Sequence, residues 1–267
     1  MPAWTWAAHH RLLLFGVGFA LIIVTLAAGV WFFVLRNPDT PVNLRQALRL
    51  YRQDQAGRQA DPTAALPAAG VYRYRTTGGE QLSFGGIARS FPDATDMIVT
   101  DSSSKCATDR WEPLVQHMEG IVECPLGDGA YTITTSLSYE EIAGTKTTDT
   151  IHCPADTYLV PPDAHAGERW KSTCHSANQT VVFAGQVVGP ARVDIGGKTV
   201  PATHTRLVLT FSGAESGSNP NDYYVSPDGL ILSQSETVDM SQSAGPLGSV
   251  RYTEQMAVRL ASASPIR

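Results

Sequence analysis

From Leu12 to Leu35 the chain is apolar without a single charge, and the run ends in the aromatic cluster Trp31-Phe32-Phe33. At about 1.5 Å of rise per residue, a helix over this stretch crosses the roughly 30 Å hydrocarbon layer of a bilayer with some tilt. After it the pattern changes twice. Between Pro41 and Tyr51, Leu44, Ala47, Leu48 and Tyr51 recur at i, i+3, i+4 and i+7, while Arg45, Arg49 and Arg52 line a second face. This predicts a short amphipathic helix, with Thr40 able to cap it and Pro41 at its first position. Two placements suit it: the stripe packed on the following domain, or the helix lying on anionic headgroups with its arginines outward. Gln53 to Ala69, with Gly57, Pro62 and Pro67, reads as a linker.

From Gly70 the period becomes two. Tyr131, Ile133, Thr135, Leu137 and Tyr139 alternate with Thr132, Thr134, Ser136, Ser138 and Glu140; Leu207, Leu209 and Phe211 share a face; and Val250, Tyr252, Met256, Val258 and Leu260 share another. One wet face per strand marks antiparallel sheets. Gly78-Gly79, Gly85-Gly86, Gly196-Gly197 and Pro227-Asp228-Gly229 stand at hairpin distances, and the runs between such turns predict something like ten to thirteen strands. Trp111, Leu114, Val115 and Met118 fall at helical spacing and predict a short helix there. The fold class is mainly β: an N-terminal transmembrane helix, then one curved antiparallel sheet or half-barrel with few short helices. The expected organisation is a short cytoplasmic tail (1–11), an anchor (12–35), a juxtamembrane helix and linker (36–69) and an extracytoplasmic β-domain (70–267).

Thr25, Ala27 and Ala28 offer a cleavage-like site, but the apolar run continues through Val30-Trp31-Phe32-Phe33-Val34-Leu35, which favours a retained anchor over a removed signal. With no cysteine before Cys106, a lipidated cysteine after a signal is excluded. Arg36, Arg45, Arg49 and Arg52 outnumber Arg11 across the span and point the large part inward. Against that stand its four cysteines, its β pattern and the weak effect of charge on long translocated domains. The expected location is the cell membrane, single-pass, with the large domain outside the cytoplasm. The formal net charge of −5 disfavours a nucleic-acid partner.

Cys106, Cys124, Cys153 and Cys174 form an even set without a C-x-x-C pair. In an exported domain this means two disulfides in one of three connectivities; Cys106 with Cys124 and Cys153 with Cys174 would clip local loops. The mirrored dipeptides His152-Cys153 and Cys174-His175, with His117, suggest a mixed zinc site, but the tight ligand pairs of zinc sites are missing, so neither metal nor cofactor is expected. Gly213-Ala214-Glu215-Ser216-Gly217 misplaces its serine for a nucleophile elbow, and the Ser/Gly/Asn run to Asn221 reads as a loop. His204 shares a strand face with Arg206 and reads as solvated; Glu140 and Glu141 point to opposite faces, so paired acid and base work has no support. Asn178-Gln179-Thr180 fits a glycosylation sequon, relevant only in a eukaryotic host.

Glu254 breaks its pattern, falling on the apolar side of the last strand between Tyr252 and Met256. A bulge could turn it outward, an arginine could pair with it, or the concave face could enclose a wet or ligand-holding space. On the third reading Tyr252, Glu254 and Met256 are ligand-binding candidates.

Between Gln186 and Val238 a Val-Val-Gly start, a Gly-Gly hairpin before Lys198-Thr199-Val200-Pro201-Ala202, the strand His204 to Phe211 and the segment Tyr223-Tyr224-Val225-Ser226-Pro227-Asp228-Gly229-Leu230 follow one another. This order resembles the late strands of half-open β-barrels typified by periplasmic lipoprotein carriers and mycobacterial lipoprotein-type lipid binders. The resemblance covers about a fifth of the chain and implies a curved sheet around an apolar cavity. Arg outnumbers Lys sixteen to four, and the whole chain is similar to single-pass exported proteins of high-GC Gram-positive bacteria, a resemblance that brings no activity. The retained anchor and four cysteines depart from the carriers and argue against shuttling across an envelope. The expected function is non-enzymatic binding of an apolar ligand, an envelope component or a membrane-protein partner. The alternative is an envelope hydrolase or transferase with a site around His117, His152 or His175.

Overall fold

From Gly70 onward antiparallel hairpins succeed one another among the described residues. A computed structural model describes residues 39–58, 66–83, 87–102, 105–142, 145–243 and 249–267. The span Leu12–Leu35, the tail before it and the Gly85-Gly86 turn lie outside the described residues, among which no helix is long and apolar enough to cross a membrane. The elements are α1 (Leu44–Gln55), β1 (Gly70–Leu82), β2 (Ala88–Ser90), β3 (Ala94–Asp101), β4 (Ala107–Leu114), β5 (His117–Gly127), β6 (Ala130–Ile142) and β7 (Thr145–His152). They continue with β8 (Tyr158–Val160), β9 (Arg169–His175), β10 (Gln179–Ile195), β11 (Lys198–Gly213), β12 (Glu215–Val225), β13 (Ile231–Ser243) and β14 (Ser249–Leu260).

Most neighbours in the sheet are neighbours in sequence, with β8 set against β6. Closure falls to β1, whose Gly70–Arg75 half pairs with β3 and whose Tyr74–Leu82 half pairs with β14. The sheet is therefore a ring rather than the half-open trough the resemblance implied, with the short β2 and β8 each paired on one side. Its slimmest seam is β7 with β9, joined through His152 and His175. The Cys153–Cys174 disulfide lies beside that seam, and Cys106–Cys124 ties the start of β4 to β5. The two bridges close loops of 18 and 21 residues, lengths for which the unfolded chain loses about 3 kcal/mol of freedom per bridge. Replacing Cys153 and Cys174 together by alanine should lower the unfolding free energy by about that amount in urea titrations.

Helix α1 starts later than the heptad pattern placed it. Asn43 caps it: its side chain accepts from Gln46 N, and the Gln46 side chain accepts from Asn43 N. This reciprocal pair satisfies two helix-end donors and makes Asn43, not Thr40, the boundary. The apolar stripe packs on the sheet: buried Ala47, with Leu44, Leu48 and Tyr51, meets Val71 and Ile98, while Arg45, Arg49 and Arg52 are exposed.

Three local expectations are corrected. No helix occupies 111–118; β4 and β5 form a hairpin there, and a register shift between Trp111 and Leu114 lets both point inward although three residues apart. A bulge of this kind copies helical spacing within a strand. Gly78-Gly79 is not a turn but the interior of β1. The Ser/Gly/Asn run is not a loop but β12, whose Asn219 and Asn221 are buried. Its inward face is polar, which erased the alternation that normally reveals a strand. Gly196-Gly197 and Pro227-Asp228-Gly229 do join strands, β10 to β11 and β12 to β13.

Candidate functional site

Inward positions on several strands carry charge where apolar side chains are the rule. Glu80 on β1 and Glu254 on β14 stand directly opposite each other, a like-charge pairing that costs stability unless something offsets it. β14 keeps unbroken register with both β1 and β13 around this point, so no bulge turns Glu254 outward, and it is 1% exposed. Tyr252 and Met256 are buried on the same face.

Glu80 is the hub. It accepts from Arg89 Nη1 at 2.7 Å and from the Tyr252 hydroxyl at 2.8 Å, and lies 2.9 Å from His117 Nδ1. Burial pushes its pKa up, but the hydrogen bond and charge of His117, then Arg89 and Tyr252, outweigh it and hold the carboxyl below its ordinary value. Tyr252 also touches Glu254 Oε2. A phenol has one proton; given to ionised Glu80, it leaves the second contact to a proton on Glu254, whose pKa burial drives well upward.

His117 opens β5 with its imidazole held between rings, 5.5 Å from Phe91 and 5.6 Å from Trp111 between centroids. Burial alone would lower its pKa; Glu254, Glu80 and Glu119 more than reverse that and raise it well above the ordinary value. Its Nε2 has no hydrogen-bond partner and stands 3.9 Å from Glu119 Oε1. Glu236 on β13 accepts from Asn219 Nδ2 at 3.4 Å through one oxygen, and the other has no partner.

Of these groups Glu119, Glu236 and Tyr252 border a cavity of about 140 Å³, while Glu80, His117, Glu254 and Met256 are not part of its lining. Glu119, Glu140, Glu236, Asn221 and Tyr252 line it together with an apolar wall that includes Ile133, Phe183, Leu207, Leu209, Phe211 and Val238. Glu119 is packed about by protein, yet its side chain is 31% exposed, the signature of a group that opens onto internal space. The arrangement can bind an apolar body against one wall and a cation or hydrogen-bond donor at the other.

A second acidic pair lies further along the wall. Asp109 on β4 and Glu123 on β5 are buried, and none of their four carboxylate oxygens has a partner. Burial raises the Asp109 pKa to about 7 and that of Glu123 well above its usual range. An aspartate raised in the folded state favours folding most below its unfolded value of about 3.9, and that contribution is lost as pH rises through about 7. Asp109→Asn should therefore stabilise the domain above neutral pH and change little near pH 4. Thermal unfolding of both proteins across this range checks it.

The remaining sequence candidates do not converge. His152 and His175 are exposed on the outer surface, away from interior His117. His204 is half-buried, stacked on Tyr224 at 4.3 Å and 2.7 Å from Asp222 Oδ1. Glu140 lines the cavity, whereas Glu141 accepts from the Tyr139 hydroxyl. Sequence reasoning missed Glu80, Arg89, Glu119 and Glu236; their only signal is a charge in phase with apolar neighbours.

No family model matches the chain, and no curated protein does. Among solved structures it is similar to the hypothetical lipoprotein YmcC of Escherichia coli, at 13% identity over 85% of this chain and 100% of that one, with a TM-score of 0.33. It is also similar to a lipoprotein of Parabacteroides distasonis, at 8% identity over 75% and 98%, with a TM-score of 0.32.

Proposed function

We propose that the protein is a non-enzymatic binding module, held to the membrane by Leu12–Leu35 with its β-domain outside the cytoplasm, and that the lumen takes the apolar end of an envelope amphiphile. The mixed lumen carries this reading. An engineered cavity of roughly 150 Å³ lined by aliphatic side chains accepts benzene, so 140 Å³ suits a ring-sized or short-chain moiety rather than a whole lipid. The wall of Phe183, Leu207, Leu209 and Phe211 supplies the contact surface. The apolar run before the domain and the disulfides within it support the exported, anchored placement.

The test is native purification followed by mass spectrometry of co-purified lipids and small molecules, beside Ser136→Trp, which would place an indole in the lumen from a small lining residue. Apolar molecules carried by the unaltered chain and lost from the variant would support the reading. A chain that carries none, and displaces no fluorescent apolar probe, would remove it. Protease accessibility on intact cells tests the topology separately: cleavage must reach the β-domain from outside.

A further inference from the structure

The polar end of the lumen holds more acid than its cations answer. Arg89 is committed to Glu80 and to the Glu141 carbonyl, which leaves His117 as the basic group facing Glu119, Glu236 and Glu254. The imidazole is 1% exposed, and Nδ1 is engaged by Glu80. Nε2, on the other side of the ring, meets no acceptor, although it is aimed among carboxylates. Glu254 Oε1 is likewise buried and without a partner. Donor atoms of His117, Glu119 and Glu254 all lie within 4.8 Å of one another. Glu236 hydrogen-bonds Glu119 and Glu254, yet Nε2 itself has no carboxylate oxygen within hydrogen-bond reach.

We propose that His117 Nε2, Glu119 and Glu254 bind a divalent first-row transition cation beside the lumen, where Glu119 borders the cavity, with Glu80 as the outer carboxylate that orients the imidazole. An imidazole with carboxylates suits zinc, manganese or iron, whereas calcium and magnesium prefer all-oxygen sets. Small side-chain rotations bring such donors to about 2.0–2.2 Å from one ion. The Glu80–His117 contact is the carboxylate–histidine arrangement that fixes ring orientation and raises basicity in metal sites. Glu119 opens onto the cavity, so a free coordination position faces whatever occupies the lumen. The inference rests on the lumen being a binding space, and it adds the cation at its polar end.

The test uses the tag-free full chain in detergent, stripped by a chelator and titrated with Co²⁺ alone, then with Zn²⁺. One Co²⁺ per chain with visible d–d absorption, displaced by Zn²⁺, is expected. Glu119→Gln and Glu254→Gln should each weaken binding by roughly tenfold or more, and Glu80→Gln by roughly 10–100-fold. Replacing His152 and His175 by alanine should leave affinity unchanged. If Glu254→Gln does not fold, Glu119→Gln carries the comparison, because its side chain borders open space. A folded chain that takes up no Co²⁺, or whose uptake follows His152 and His175, would falsify the site. Lost Co²⁺ binding with retained capture of apolar molecules would overturn the metal site alone, and the reverse pattern would overturn only the apolar-ligand reading.

Discussion

Replacing Arg89 by leucine is expected to lower the unfolding free energy by about 3–5 kcal/mol, the cost of stranding a buried charge once its partner is gone. Arg89 and Glu80 are both nearly inaccessible, 2.7 Å apart, and the same guanidinium donates to the Glu141 carbonyl at 2.7 Å. Without it Glu80 keeps only His117 and Tyr252. Urea denaturation measures the loss. Adding Glu80→Gln to Arg89→Leu should recover part of it, because no ionised carboxylate then remains to be desolvated. Arg251 gives the contrast: it pairs with Asp239 at 2.6 Å on the exposed outer surface, where solvent screens the charges. Arg251→Ala should leave the midpoint almost unmoved, and an equal loss at both sites would contradict the view of Glu80 as the hub of the lumen.

Gly78→Ala is expected to cost about 4 kcal/mol, at the upper end for single substitutions, because two penalties coincide. The residue sits at φ +122°, outside the range of ordinary side chains, and a Cβ there would lie 1.9 Å from the Gln255 carbonyl oxygen of β14. Next to it, a Cβ on Gly79 would lie 2.2 Å from the Arg89 carbonyl oxygen. Neither obstacle is a flexible side chain, so the change presses on the strand contacts that close the ring. Gly197→Ala, at φ +81° with nothing within 4 Å, carries backbone strain alone and should cost only about 1 kcal/mol. Equal losses at the two positions would mean that close approach is not what Gly78 provides.

The two glycines also mark the limit of reading local chemistry. A Gly-Gly pair between two alternating runs is a sound hairpin signal, and Gly196-Gly197 is one. Gly78-Gly79 looks the same in sequence, yet serves a strand squeezed between β14 and β2. Trp111 and Leu114 carry the same lesson: their separation of three residues copies a helix because the bulge that produces it depends on β5. β12 was hidden for the opposite reason. Strands are recognised by an apolar face, and its inner face, with Asn219 and Asn221, is polar because it borders the lumen.

What the chain declares by itself follows from local periodicity. Alternation along 250–260 determines a strand with one inward face, the stripe at Leu44, Ala47, Leu48 and Tyr51 determines a helix that must bury one side, and Glu254 is marked as a charge on an apolar face. These rest on neighbours a few residues apart. The face shared in sequence by Tyr131, Ile133, Thr135, Leu137 and Tyr139 is instead broken by an extra residue at Thr134, after which Ser136, Ser138 and Glu140 line the cavity. Closure of the ring through β1, the junction of Glu80 with Arg89, and the meeting of β5 carboxylates with those of β13 and β14 were decided only in three dimensions. They join residues far apart in the chain, 172 positions in the case of Glu80 and Tyr252. No periodicity in the chain encodes such a pairing, because the energy of a buried charge depends on which other charges the fold brings beside it.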